Sequence, residues 1–151
     1  MNRNNILEKV VIIDFGSQFT QLIARKVREI GVYSEIINFK QTRGLKKDNT
    51  IKGIILSGGP LTTTNKNSID LDNYILDLNL PILGICYGHQ ILAKKFGGEI
   101  KISKTREFGH AVVRSKLNSP ITRNFFKKRD NSVWMSHQDI VHKIPPGFKM
   151  I

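Results

Sequence analysis

Cys86 stands at the centre of the sequence G-I-C-Y-G at residues 84–88, and it is the only cysteine in the 151 residues of the chain. This spacing is that of the G-x-S-x-G nucleophile elbow, with a thiol in place of the hydroxyl. Glycines two positions before and after the nucleophile let a strand and a helix pass close together while the central side chain projects into solvent. A helix that begins here would direct its unpaired N–H groups and its positive dipole end at the sulfur, and both favour the reactive thiolate. The segment therefore predicts a nucleophilic cysteine.

The alternative for Cys86 is a small buried hydrophobic residue, which is a common environment for a free cysteine. Its position in the chain favours a functional role. An apolar run with strand character precedes it at residues 80–83, and a run with helical character follows as far as Phe96, where Gly97 and Gly98 end it.

The sequence S-G-G-P at residues 57–60 follows another apolar run and forms the second glycine-rich segment. In open α/β sheets, ligands bind at the carboxyl ends of the strands, so this segment can present backbone N–H groups towards the same edge as Cys86. The alternative is a tight turn without a ligand. A phosphate-binding loop is excluded, because neither G-x-x-x-x-G-K-[ST] nor G-x-G-x-x-G occurs.

Apolar runs alternate with helical patterns along the first two thirds of the chain. Ser17 is expected to cap the first helix, which Gly31 ends. The region at 40–52 is polar and predicts a loop or a short helix. The pattern predicts an α/β fold with a doubly wound, mostly parallel sheet. Its expected strands lie at residues 10–13, 33–38, 53–56 and 80–85, and its expected helices at 17–30, 71–78 and 87–96.

The last third predicts a different arrangement. Two strands at 99–103 and 111–116 flank the segment 105–109, a short helix is expected at 120–126, and another strand at 132–135. These strands are expected to form a mixed or antiparallel extension of the sheet. A turn at 145–147 opens a further strand that has barely begun, so we expect residues 1–151 to form one domain that is incomplete at its C-terminal strands.

Composition limits the function classes. The chain is 40% hydrophobic, which is enough for one core, and its net charge of +12 allows a nucleic acid or an acidic protein as a partner. Its lysines and arginines are dispersed, with short clusters at 46–47, 94–95 and 127–129, so we expect no nucleic-acid partner; a basic face that docks an acidic partner domain remains an alternative. A single cysteine, the absence of zinc-ligand spacing and the absence of a long apolar segment predict a cytoplasmic protein without a disulfide, metal or membrane span.

Five segments in this order resemble one family, and together they extend over essentially the whole chain. The chain resembles the class I (triad) glutamine amidotransferases, and among them the glutaminase domains of GMP synthases. The elbow by itself indicates only an amidotransferase, whereas the opening D-F-G-S-Q-F-T-Q and the segment W-M-S-H narrow the resemblance. The segments are VIIDFGSQFTQLIARKVRE at 11–29, ILSGGP at 55–60, GICYGHQ at 84–90, REFG at 106–109 and VWMSH at 133–137.

The resemblance implies a reaction. Cys86 would attack the side-chain amide of glutamine and form a glutamyl thioester and ammonia, after which water would release glutamate. The ammonia would pass to a synthetase domain, fused or separate, that activates xanthosine monophosphate (XMP) with ATP and Mg²⁺ and aminates it to GMP. No segment of this chain corresponds to that domain, so no cofactor is expected within it.

The resemblance also implies site residues. The backbone N–H groups of Gly59 and Tyr87 would form the oxyanion hole. The positions that correspond to glutamine contacts are Gly58, Gln90 and the backbone of Ser136 and His137.

One part of the family pattern is missing from these residues. The catalytic His and Glu of the family lie in an H-P-E segment downstream of W-M-S-H, and no such segment occurs here. Among the histidines, His89 and His137 are the nearest substitutes for a general base, while His110 and His142 are expected to have surface or packing roles. Loss of a triad member lowers the rate by orders of magnitude, so we expect weak glutaminase activity from this chain alone.

Two alternatives remain open. The first is that the chain is a binding or docking module that keeps the glutamine pocket without turnover. The second is that it is an amidotransferase subunit for another acceptor, such as in anthranilate or carbamoyl phosphate synthesis. The opening segment and W-M-S-H argue against the second alternative.

Overall fold

A computed structural model describes residues 7–45, 49–63, 68–126 and 130–151. For residues 103–108 and 137–138 it describes the strands but not the side chains. The basic clusters at 46–47 and 127–129, and the side chain of His137, therefore lie outside the described parts of the protein.

The centre of the fold is a parallel sheet of four strands in the order β2-β1-β3-β4, as the alternation of apolar and helical segments predicted. Val11, Ile12 and Ile13 of the central strand β1 are fully buried, because helices and loops cover both faces. The strands are β1 (Lys9–Asp14), β2 (Tyr33–Asn38), β3 (Ile51–Leu56) and β4 (Ile82–Gly84).

In the described parts of the chain, two α-helices and one short 3₁₀ helix connect these strands, and a third α-helix follows β4. Gly31 and Gly97 follow the first and third α-helices, as predicted, and the expected loop or short helix at 40–52 begins as a 3₁₀ helix. The elements are α1 (Thr20–Glu29), the 3₁₀ helix (Phe39–Gly44), α2 (Asn73–Asp77) and α3 (Tyr87–Lys95).

The start of α1 differs from the prediction that Ser17 caps it. The helix begins at Thr20 with Phe19 at the N-cap, because the carboxylate of Asp14 holds the preceding turn. Oδ1 of Asp14 accepts hydrogen bonds from the N–H groups of Gly16 (3.0 Å) and Ser17 (3.3 Å) and from the hydroxyl of Thr20 (2.6 Å). The chain therefore makes one extra turn at the carboxyl end of β1 before the helix starts.

A single apolar core packs α2 and α3 against the sheet. Ile75 of α2, together with Tyr87 and Ile91 of α3, lies against Ile13 and Leu56, and each of these side chains is at most 2% exposed. Burial of a large apolar side chain stabilises a fold by roughly 1.5–3 kcal/mol. The helix that carries Cys86 at its start is therefore fixed against β1 and β3.

The last third forms a separate layer. β5 (Glu99–Arg114) and β6 (Asp130–Lys143) are antiparallel, which is one of the two expected arrangements. They pair with each other in a two-stranded sheet, however, and do not extend the parallel sheet as expected. The two strands predicted at 99–103 and 111–116 are one long strand, whose register shifts between Ile102 and Glu107.

The helix predicted at 120–126 is absent from this described segment. Its backbone forms turns instead, in which the N–H of Thr122 donates to Ser119 and that of Phe125 donates to Thr122. The predicted turn at 145–147 is confirmed by the bond from the N–H of Phe148 to the carbonyl of Pro145 (3.2 Å).

None of the helices in the described parts of the chain is both long and apolar enough to cross a membrane.

Candidate active site

Cys86 lies between the end of β4 and the start of α3 in a strained backbone conformation. Its φ of 52° and ψ of −113° place a residue with a side chain in a region that mainly glycine adopts. Such a conformation costs of order 1–3 kcal/mol and persists only where its surroundings impose it. The side chain is exposed, so the alternative of a buried hydrophobic cysteine is wrong. The geometry is that of a nucleophile elbow.

The two elbow glycines permit this geometry. A Cβ atom on Gly84 would lie 2.6 Å from Cα of His89, and one on Gly88 would lie 2.4 Å from the carbonyl oxygen of Leu56. Both neighbours are backbone atoms, which cannot move aside as a side chain can. The close passage of strand and helix predicted from the spacing is thus confirmed.

A cavity of about 340 Å³ opens beside Cys86. Such a volume lies within the range of small-ligand sites. Three of the positions implied by the family resemblance line it together with Cys86, namely Gly58, Gly59 and Ser136. The turn at residues 16–19, between β1 and α1, forms another wall.

A second cavity of about 370 Å³ lies between the 3₁₀ helix and α2, with Lys40, Arg43 and Asp70 among its lining residues. It is similar in size, but none of its described lining residues is a cysteine or has the strained backbone of Cys86. We therefore place the candidate site at Cys86.

Two of the other implied residues, Gln90 and Tyr87, do not line the cavity with their side chains. Gln90 is buried, and its Nε2 donates to the backbone carbonyl of Asp139 in β6 (2.9 Å). Tyr87 is buried as well, and its phenol oxygen accepts from the N–H of Ile69 (3.0 Å). Burial raises the pKa of this phenol above its ordinary value, and the backbone hydrogen bond at Ile69 opposes the shift. His137 follows Ser136 in β6.

The N–H group of Tyr87, rather than its side chain, is the part that can serve the cavity. Tyr87 is the first residue of α3, and the first N–H groups of a helix lack a partner within it. The carbonyl of Cys86, in the same peptide unit, accepts from the N–H of Gln90 (3.1 Å), which aligns that unit with the helix axis. The N–H of Tyr87 therefore points out of the start of the helix.

Of the two candidate substitute bases, His89 does not line the cavity of Cys86, and the side chain of His137 lies outside the described parts of the protein. His89 lines a different cavity of about 380 Å³, together with Leu92, Ile144 and Phe148. His110 lies in β5 and His142 in β6, and neither lines the Cys86 cavity within the part of the chain that is described. Across the same part of the chain, no group of three His, Cys, Asp or Glu residues could hold a metal ion.

The contribution of the first strand's end to the site is not among the features predicted from the sequence. The pattern at 16–19 predicts a turn and the start of a helix, but this segment also follows a buried strand that lies next to β3 and lines the cavity. The hydroxyl of Ser17 and Cβ of Cys86 lie 3.4 and 3.5 Å from the position that a Cβ of Gly58 would occupy. The signal was present in the sequence, because the carboxyl ends of adjacent parallel strands form one edge.

The sequence profile described as "Glutamine amidotransferase class-I" matches residues 11–151. The chain is 49% identical over 151 residues to a protein named "GMP synthase [glutamine-hydrolyzing]" from Vesicomyosocius okutanii, covering 98% of this chain and 29% of that protein. It is 45% identical over 145 residues to the protein of the same name from Pelodictyon phaeoclathratiforme, covering 95% of this chain and 28% of that protein. The chain thus spans less than a third of the length of these curated relatives.

Solved structures show the same architecture. A protein from Thermoplasma acidophilum, described as a putative GMP synthase subunit, superimposes with a TM-score of 0.73 at 29% identity, over 93% of this chain and 69% of that one. A glutamine amidotransferase from Thermotoga maritima gives a TM-score of 0.72 over 93% of this chain and 64% of that one; at 21% identity it supports the fold alone.

The profile extends over nearly the whole chain, and the strained Cys86 beside a glycine-lined cavity occupies the position that the motif predicts. The chain belongs to the class-I glutamine amidotransferase family.

Proposed function

We propose that the chain hydrolyses glutamine at Cys86 as the glutaminase part of a GMP synthase. One observation carries the proposal: Cys86 stands in a strained, exposed position at a cavity whose wall contains Gly58 and Gly59. The relatives at 45% and 49% identity are named as GMP synthases, which supports the choice of GMP synthesis over another acceptor.

In the proposed reaction, the thiolate of Cys86 attacks the side-chain amide carbon of glutamine. A carbon–sulfur bond forms and the carbonyl π electrons move to oxygen, which gives a tetrahedral oxyanion. The N–H groups of Gly59 and Tyr87 stabilise this charge. Collapse of the intermediate expels ammonia once the nitrogen has gained a proton and leaves a glutamyl thioester, which water cleaves to glutamate and the free thiol.

The glutamine site includes Gly58, Ser136 and the backbone of His137, with Gln90 next to it. Of these, Gly58 and Ser136 line the cavity in the structure. Gln90 supports the site indirectly. Its side chain links α3 to β6 by donating a hydrogen bond to the carbonyl of Asp139, three residues after Ser136.

We also propose that the chain by itself turns over slowly. No described histidine lines the cavity of Cys86. The family resemblance assigns the base to an H-P-E segment that these 151 residues do not contain. Removing a base from such a triad lowers kcat by several orders of magnitude, although binding and oxyanion stabilisation retain some catalysis.

The ammonia is proposed to aminate XMP in a synthetase domain that uses ATP and Mg²⁺, in the cytoplasm. The relatives support such a partner through their name and because this chain matches only 28–29% of their length. Neither ATP nor Mg²⁺ is assigned to residues of this chain.

The test measures glutamate release from glutamine by the chain, with and without the synthetase part of a related GMP synthase, ATP, Mg²⁺ and XMP. We expect slow release alone, faster release with the partner, and none from Cys86→Ala. Release that persists in Cys86→Ala would refute the role of the thiol. Binding of glutamine by calorimetry, without hydrolysis under either condition, would instead favour the non-catalytic module.

A further inference from the structure

Ser57 lies between β3 and the glycine pair of the cavity wall and is fully buried. All of its polar groups are used. Its N–H donates to the carbonyl of Ile13 (3.0 Å), and its carbonyl accepts from the N–H of Gly88 (3.0 Å). Its hydroxyl accepts from the N–H of Phe15 (3.1 Å) and donates to the carbonyl of Gly58 (2.8 Å). Ser57 is therefore a fixed point that joins β1, the glycine pair and α3.

The hydrogen bond to the Gly58 carbonyl sets the direction of the next N–H group. The carbonyl of Gly58 and the N–H of Gly59 belong to one peptide unit, which is trans, since the described backbone contains no cis peptide bond. In a trans unit these two groups point in opposite directions. Holding the carbonyl against the Ser57 hydroxyl therefore turns the N–H of Gly59 away from Ser57, and within the described chain no hydrogen bond occupies that N–H.

The orientation of the Gly58–Gly59 peptide depends on this hydrogen bond more than the orientation of most peptide units would. Glycine lies on both sides of it, and residues without Cβ allow a peptide to rotate between orientations at little cost. Packing restrains Gly59 on one side, because a Cβ there would lie 2.8 Å from the carbonyl oxygen of Phe15. That contact limits where Gly59 lies but does not itself choose which way the N–H points.

We propose that Ser57 is a positioning residue whose hydroxyl holds the Gly58–Gly59 peptide with the Gly59 N–H directed at the developing oxyanion. The inference rests on the proposed function, since it needs a tetrahedral intermediate at Cys86. Through its own carbonyl, Ser57 also holds the N–H of Gly88, which immediately follows Tyr87. One buried residue thus fixes the relative position of the two oxyanion donors.

The experiment compares two alkylating reagents on the full chain. The first is a glutamine analogue with a chloroketone in place of the side-chain amide; the Cys86 thiolate displaces chloride and forms a thioether, while the ketone oxygen occupies the oxyanion position. The second is iodoacetamide, which alkylates the same thiol with loss of iodide but does not resemble glutamine. Mass spectrometry follows both rates at Cys86 in the wild type and in Ser57→Ala.

We expect Ser57→Ala to slow the chloroketone by roughly tenfold or more, which is less than the roughly 10²- to 10³-fold cost of removing an oxyanion donor because the Gly59 N–H is still present, and to leave the iodoacetamide rate nearly unchanged. Ser57→Thr, which keeps a hydroxyl, should restore the chloroketone rate. Equal chloroketone rates in Ser57→Ala and the wild type would overturn the inference. So would an equal loss with both reagents, because that result indicates general damage to the site.

Two controls keep the outcomes distinct. If glutamine fails to protect wild-type Cys86 from the chloroketone, the proposed function fails and this inference fails with it. If Ser57→Ala lacks a cooperative melting transition, the comparison moves to Ser57→Thr and Ser57→Val, which have nearly the same shape and differ in the hydroxyl. A selective loss of the chloroketone rate in Ser57→Val supports the inference, and equal rates in the two variants overturn it.

Discussion

Replacing Gly88 with alanine should destabilise the protein even though alanine is the better helix former. In an exposed helix the change would gain up to about 1 kcal/mol. Here the new Cβ would lie 2.4 Å from the carbonyl oxygen of Leu56 and 2.6 Å from its Cβ. α3 must therefore move away from β3, and this movement would stretch the bond from the N–H of Gly88 to the carbonyl of Ser57, now 3.0 Å.

The size of the effect follows from these contacts. Overpacking a rigid interior costs typically 1–3 kcal/mol, and the lost hydrogen bond adds about 1 kcal/mol. After subtracting the gain in helix propensity of about 1 kcal/mol, we expect a net loss of about 1–3 kcal/mol. For a chain of this size, 1 kcal/mol corresponds to roughly 2–4 °C in Tm, so the melting temperature should fall by roughly 2–12 °C.

Thermal melting followed by circular dichroism, together with alkylation of Cys86, would test this expectation. Gly44→Ala is the matched control, since among the described residues no atom other than those of its two chain neighbours and of its own helix backbone lies within 4 Å of the Cβ position of Gly44; its stability should change by less than about 0.5 kcal/mol. A Gly88→Ala protein that melts at or above the wild-type temperature and alkylates at the wild-type rate would refute the close approach of α3 to β3.

Three further changes test other parts of the site. Cys86→Gly should be more stable than Cys86→Ala by about 1 kcal/mol in thermal melts, because glycine relieves the strain at φ 52°; equal stability would argue against strain. Gln90→Leu should lower the free energy of unfolding, measured in urea, by about 1–3 kcal/mol, because it leaves the buried carbonyl of Asp139 without its donor; an unchanged urea midpoint would contradict that. Burial raises the pKa of the Tyr87 phenol in the folded protein. The stability that the neutral phenol contributes is therefore complete below its pKa in the unfolded chain, about 10, and is lost as the pH rises through its higher pKa in the folded protein. Melting temperatures between about pH 9 and about pH 11 should thus fall less steeply in Tyr87→Phe than in the wild type, and equal slopes would exclude this linkage.

Local patterns were sufficient for the parallel half of the fold. β1 is a continuous apolar run because it is buried on both faces, and the glycines after α1 and α3 end those helices where the sequence predicted. The elbow at Cys86 was also predictable, since its glycine spacing reports a steric requirement between neighbouring segments.

The last third was predicted less well because its structure depends on distant partners. Residues 99–114 of β5 pair with residues 130–143 of β6. The sequence of neither strand indicates whether that strand joins the parallel sheet or pairs with another strand. The true start of α1 depended on the carboxylate of Asp14, which accepts hydrogen bonds from the N–H of Ser17 and the hydroxyl of Thr20. Which side chain holds the turn before a helix is decided by geometry and not by residue type.

By itself, the sequence predicted Cys86 as the nucleophile and determined that glycine must flank it, because both follow from chemistry and sterics within five residues. Only the tertiary structure decided what surrounds Cys86: the turn at 16–19, the glycine pair and Ser136 come from segments far apart in the chain. The same holds for Ser57, whose hydroxyl contacts Phe15 and Gly58 from within the core. The direction of a peptide N–H is fixed by what holds its carbonyl, and that partner is known only once the chain has folded.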